Sequence, residues 1–228
     1  MTLLDLQNTI HISFRNPELL QRAFTHRSYL NEEKQTHISN ERLEFLGDSI
    51  LSFLTSQYLY EQYPDFPEGI LTNIRSTLVK TQSLACVSCE LKLGELLLLS
   101  RGEEASGGRN NPSLLADAFE ALLGATFLDS GIESVRKILE TFLFPRTQKI
   151  VASKAYVDYK SLLQELIKQD SRISPTYEVI KSDGPDHAKT FWVQAMVDGK
   201  ILGNGSGKSK QEAEQAAAAD ALEKMDNK

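Results

Sequence analysis

Only two cysteines, Cys86 and Cys89, occur in the 228 residues. So few exclude a scaffold stapled by disulfides. No apolar run approaches the roughly 18 residues that suggest a membrane span, and the first residues do not join a basic region to a signal-like apolar stretch. The expectation is a cytoplasmic protein with no membrane partner. Positive charge is also in short supply: 25 Lys and Arg stand against 31 Asp and Glu, a net charge of -6 with His neutral. Bulk electrostatics therefore announces no nucleic-acid partner. What the chain does have is 41% apolar and 25% charged residues, a composition that buries a core rather than staying disordered.

Apolar periodicity divides the chain. Segments 18–30, 41–62, 69–90 and 112–128 read as helices separated by short breakers. In the second, Leu43, Leu46, Ile50, Leu54 and Tyr58 recur at three- and four-residue steps and predict one buried stripe. In the fourth, Asn111 is a candidate cap and Pro112 a candidate first helical residue. Periodicity weakens after Pro145, which predicts a first domain over 1–147, a linker over 148–155 and a second domain over 156–228. The second domain reads differently. DYKSLLQELIKQ predicts a helix, YEVIKS and AKTFWVQAMV predict strands, Asp198-Gly199 a hairpin turn into KILGNG, and SKQEAEQAAAADALEKM a final helix. Residues 1–153 hold 14 basic and 19 acidic side chains, a balance of -5, and the remainder 11 and 12, a balance of -1. The acidity is thus mostly N-terminal.

That acidity is patterned. Glu41, Glu44 and Asp48 follow steps of three and four, so a helix presents them along one side, where like charges repel. Asp117 and Glu120 repeat the step of three among Leu114, Leu115, Phe119, Leu122 and Leu123. If the two helices face one another, Glu44, Asp48, Asp117 and Glu120 can offer oxygen ligands to Mg2+ or Mn2+, with Glu41 and Glu68 near enough to assist. Ordinary solvent-facing acids and a salt-bridge network remain the competing readings. Tetrahedral zinc is weaker, because His11, His26, His37 and His187 form no compact set with the cysteines. His26 reads as a hydrogen-bonded structural histidine, Cys86 and Cys89 as small apolar residues on adjacent helical turns, and Gly107-Gly108 as permissive backbone.

In the second domain, GNGSGKSK lacks the first glycine of a nucleotide-binding loop, since position 202 is leucine. Asn204-Gly205-Ser206 matches a glycosylation triplet only formally. Lys208 and Lys210 instead flank the start of the last helix, where ammonium and backbone N–H groups can meet phosphates. Gln164 and His187 could reach into minor grooves, which duplex RNA presents wide and shallow.

Taken together, NERLEFLGD over 40–48, LADAFEALLGA over 115–125 and GKSKQEAEQ over 207–215 resemble, in order, the bacterial ribonuclease III family. The resemblance covers nearly the whole chain. It implies an all-α endonuclease domain followed by an α+β domain of α-β-β-β-α order that binds double-stranded RNA. It implies a homodimer through the endonuclease domain, with one active centre from each chain, leaving 5′-phosphate and 3′-hydroxyl ends with two-nucleotide 3′ overhangs. Mg2+ is the implied cofactor, with Mn2+ substituting, and ribosomal and other structured RNAs are the implied substrates. Glu44, Asp48, Asp117 and Glu120 match the metal carboxylates, Asp48 and Glu120 being the catalytic pair, while Glu41 and Glu68 match supporting acids of the catalytic valley. Residues 94–109 match a loop leading toward that valley. Gln211 departs from the family, where lysine is frequent. A noncatalytic RNA-binding factor and a phosphohydrolase of small substrates are the two alternatives.

Overall fold

The structure, a computed structural model, describes residues 1–30, 38–170, 174–185 and 189–226. The chain forms two compact units, Met1–Tyr156 and Val157–Lys228. The first is helical: α1 (Leu3–Ile10), α2 (Pro17–Ala23), α3 (Arg27–Leu30), α4 (Glu41–Gln62), α5 (Glu68–Val79), α6 (Thr81–Glu90), α7 (Arg101–Ala105), α8 (Pro112–Ser130), α9 (Ile132–Phe142) and α10 (Arg146–Ala152).

Helix α8 is the hub. Asn111 Oδ1 accepts the N–H of Ser113 at 2.9 Å, and Pro112 fills the first turn, where its missing N–H costs nothing. Residues from Leu115 to Thr126 are buried on almost every side, as befits a helix apolar all round. Helix α4 buries Leu43, Ile50, Leu51 and Leu54 in the core it shares with α8. The two helices meet at glycines: a Cβ on Gly47 would overlap the carbonyl oxygen of Glu120, and one on Gly124 that of Leu43. Only the missing side chains permit so close a crossing.

Tertiary contacts break two of the expected helices. In 18–30 the helical path stops after Ala23, because Phe24 and His26 bond to Leu98: Leu98 N–H donates to Phe24 O at 2.8 Å and His26 N–H to Leu98 O at 3.1 Å. In 69–90, Lys80 is extended at φ -65° and ψ 151°, so α5 packs on α4 and α10 while α6 turns onto α8. The segment expected as a linker, 148–155, is helical through Ala152, with Thr147 buried and Ile150 on the core, and the first unit runs on to Tyr156.

The second unit follows α11 (Tyr159–Asp170), β1 (Thr176–Asp183), β2 (Thr190–Val197), β3 (Lys200–Gly207) and α12 (Lys210–Asp226), with an antiparallel sheet in the order β1-β2-β3. Asp198 and Gly199 both take positive φ, 50° and 74°, the geometry of a two-residue hairpin turn whose twist matches the strands. Leu163 and Ile167 of α11, Val193 and Ala195 of β2, and Ala213, Ala217, Ala218 and Ala221 of α12 form its core. A Cβ on Gly203 or Gly205 would overlap the α12 backbone. Glycine facing alanine lets helix and sheet approach. Among the described residues no helix is long and apolar enough to cross a membrane.

Candidate functional site

The close crossing of α4 and α8 brings their acids together. Glu44 lies one turn before Gly47, and Glu120 supplies the carbonyl that Gly47 touches. Carboxylate oxygens of Glu44, Asp117 and Glu120 all lie within 4.8 Å of one another, each side chain half-buried. Asp48, expected in this set, is exposed and outside that compact group. Its charge nevertheless reaches Glu120. Glu41 is exposed, accepts Ser39 Oγ–H at 2.8 Å and lies 3.7 Å from Arg27. With Glu44, Asp117, His26, Arg27 and Asn40 it lines a cleft of about 250 Å³. Glu68 stands exposed at the start of α5, accepting Thr72 Oγ1–H at 2.9 Å, and is not in the compact group.

Electrostatics sets this cluster apart from surface acids. Burial foremost, then the charges of Asp48, Asp117 and Glu44, push the Glu120 carboxyl up to about 8. Glu44 is also raised, by burial first and then by Asp117, Glu41 and Asp48, with Arg27 opposing. Burial raises Asp117, and His26 opposes it. Among the described residues no ion pair reaches Glu44, Asp117 or Glu120. Three half-buried carboxyls that repel one another are what a divalent cation relieves, and an all-oxygen donor set suits Mg2+ or Mn2+. The residues present therefore fit such an ion.

The segment 94–109 is tied down near the crossing. Arg109 donates to the carbonyls of Gly94 at 3.0 Å and Leu97 at 2.9 Å, and Gly107 turns the chain at φ 86°. Cys86 and Cys89 are free thiols on α6, exposed rather than packed as the apolar reading expected.

In the second unit, Lys208 and Lys210 are exposed on either side of the start of α12, and Gln211 is exposed beside them. Glu212 Oε2 accepts the N–H of Lys208 at 2.8 Å, and Ser209 Oγ accepts that of Glu212 at 3.1 Å. Those two backbone donors are thus spoken for, while the lysine side chains stand exposed. Gln164 is half-buried on α11. His187 lies outside the described residues.

One functional feature escaped sequence reasoning. Phe45, Phe53 and Tyr60 are 77%, 60% and 75% exposed, and their steps of eight and seven put them on one side of α4. They form a second apolar stripe on the same helix, set to one side of the Leu43 stripe. Large exposed aromatics in line mark a surface that meets something else.

A model of the Ribonuclease-III-like family matches residues 16–147, and one of the double-stranded RNA binding motif matches 159–225. Ribonuclease 3 of Bacillus licheniformis is 46% identical over 220 residues, covering 96% of this chain and 88% of that one. Ribonuclease 3 of Geobacillus kaustophilus is 46% identical over 222 residues, covering 97% and 90%. Among solved structures, the nuclease domain of ribonuclease III from Campylobacter jejuni, described as flexible in a region involved in dimer formation, superposes with a TM-score of 0.59. It is 35% identical and covers 63% of this chain and 99% of that domain.

Proposed function

The chain belongs to the ribonuclease III family, and from that membership and its acidic crossing we propose how it acts as a nuclease on double-stranded RNA. Glu44, Asp117 and Glu120 would hold Mg2+, or Mn2+ in its place, and Asp48 would complete the set from its exposed side. When bound, the ion supplies positive charge at the phosphodiester and lowers the pKa of the attacking water. Glu120 and Asp48 are the catalytic pair. Glu120, the most shifted of the acids, would bind such an ion as the carboxylate, its proton passing to solvent, and would orient water toward phosphorus. Asp48, open to solvent, meets the RNA side of the site. Glu41 and Glu68 extend the acidic valley. Water attacks phosphorus, the P–O3′ bond breaks and the 3′ oxygen leaves and takes up a proton, so the products are a 5′-phosphate and a 3′-hydroxyl.

The second unit holds the duplex. Lys208 and Lys210 contact phosphates while Gln164 and His187 reach minor grooves. The exposed aromatics of α4 are the face by which two copies pair, so that two centres cut opposing strands with a two-nucleotide 3′ stagger. A cytoplasmic setting and ribosomal or other structured RNA substrates complete the reading.

The observation that carries it is the convergence of Glu44, Asp117 and Glu120 within 4.8 Å at the glycine crossing. Glu120→Gln keeps the shape and removes the charge. It is expected to bind duplex RNA as the native chain does while single-turnover cleavage in Mg2+ falls by at least about 100-fold. Native-like cleavage by that variant would refute the assignment.

A further inference from the structure

The second unit carries a polar network to which the binding chemistry above gives no part. Asp158 caps α11, its Oδ1 accepting the N–H of Ser161 at 3.2 Å and its Oδ2 the Ser161 hydroxyl at 2.8 Å. The same carboxylate accepts the Gln215 amide of α12 at 2.8 Å, and Gln215 Oε1 in turn accepts the N–H of Lys160 at 3.3 Å. Beside these bonds, Lys160 Nζ donates to Glu214 Oε2 at 2.5 Å and stands 4.7 Å from the centroid of the Tyr177 ring on β1. The start of α11 is thus clasped to α12. Apolar packing alone would fix it poorly, because the fully buried residues that α12 brings to the shared core are alanines, Ala213, Ala217, Ala218 and Ala221. So smooth a face offers α11 few knobs to lock its position. Directional bonds supply the register that shape does not.

Helical spacing puts this clasp between the groups assigned to RNA. Gln164 follows Lys160 by four residues and Glu214 follows Lys210 by four, so each member of the ion pair shares a helix face with one RNA contact, a turn away. We propose that Lys160 and Glu214 are positioning residues for duplex binding: their pair, with Asp158 and Gln215 beside it, sets the spacing between the groove contact on α11 and the phosphate contacts on α12. The proposal rests on the RNA-binding reading of Gln164, Lys208 and Lys210 above. An acid that holds a helix in place strengthens binding, and its loss weakens it, because the duplex must then order α11 itself. Plain electrostatics makes the opposite prediction at Glu214. An acid that merely lies near phosphates repels them, and its loss tightens binding.

The test is binding of a blunt duplex RNA by the full chain, in chelator to prevent cleavage. Glu214→Ala and Lys160→Ala are each expected to weaken binding about 3-fold or more, and the double variant to bind no more weakly than either alone, since both act through one pair. Exchange of the two charges, Lys160→Glu with Glu214→Lys, is expected to return binding to within about 2-fold of native. In Mg2+ the single-turnover cleavage rate at saturating duplex stays native, since the acids of the first unit are intact, and only the RNA concentration at half-saturation rises. Tighter or unchanged binding by Glu214→Ala, losses that add in the double variant, or a lower rate at saturation overturns the proposal. Both side chains are partly exposed, so their loss spares the fold. Should a single variant nevertheless not fold, the exchanged pair decides: native-like binding supports the proposal and weak binding overturns it. A native chain that binds no duplex instead removes the RNA-binding reading itself, an outcome distinct from the failure of the clasp alone.

Discussion

At the scale of the residue, Glu120 is the most informative side chain. Its carboxyl is raised from an ordinary value of 4.5 to about 8 by burial and by Asp48, Asp117 and Glu44. Between those two pH values the folded chain keeps a proton that the unfolded chain has released. The stability that Glu120 contributes in the absence of metal therefore falls as pH rises from about 5 to about 8. Glu120→Gln removes the titrating group, so its melting temperature without divalent ions should change less over that range and exceed the native value at pH 8. Thermal denaturation at pH 5.5 and pH 8 in chelator checks this; parallel native and variant curves would contradict it. Spacing in the sequence could pair Asp117 with Glu120 and Glu44 with Asp48. It could not show that Asp48 stays exposed while the other three converge, because that depends on how the two helices are rotated about their axes.

At the scale of the element, the α4–α8 crossing both stabilises the first unit and builds the site. Gly47→Ala adds a Cβ where the Glu120 carbonyl lies, and the helices must separate to admit it. A loss of about 1–3 kcal/mol in urea denaturation is expected, together with weaker Mn2+ binding, since the separation spreads Glu44 from Glu120. Unchanged stability would show that the crossing is not tight. The helices themselves were legible where periodicity was local: the Leu43 stripe, the Asn111-Pro112 start of α8 and the Asp198-Gly199 turn all follow from neighbouring residues. Segments 18–30 and 69–90 look unbroken in the sequence for the opposite reason. Their breaks come from Leu98, far along the chain, and from the separate partners of α5 and α6.

At the scale of the whole molecule, a net charge of -6 is compatible with RNA binding because the two signs have separate work. On the proposed reading, acids of the first unit would gather divalent cations, and the exposed Lys208 and Lys210 of the second would meet phosphate. Lys208→Ala with Lys210→Ala should weaken duplex binding and make the slope of log affinity against log salt shallower by roughly 1–2; an unchanged slope would deny their phosphate contacts. The order of domains was readable from three motifs, whereas the aromatic face of α4 was not, since Phe45, Phe53 and Tyr60 look like core residues until the helix is packed. Phe45→Glu should convert a dimer to a monomer in light scattering coupled to size exclusion, and a variant that stays dimeric would move the interface elsewhere. Water, oriented by these carboxylates in the presence of a divalent cation, is expected to cut duplex RNA. The decisive measurement maps both ends of the products from a labelled duplex, with Mg2+ and with chelator. The expected products are 5′-phosphate and 3′-hydroxyl ends offset by two nucleotides, with no cleavage in chelator; 2′,3′-cyclic phosphate ends, or cleavage without metal, would rule this chemistry out.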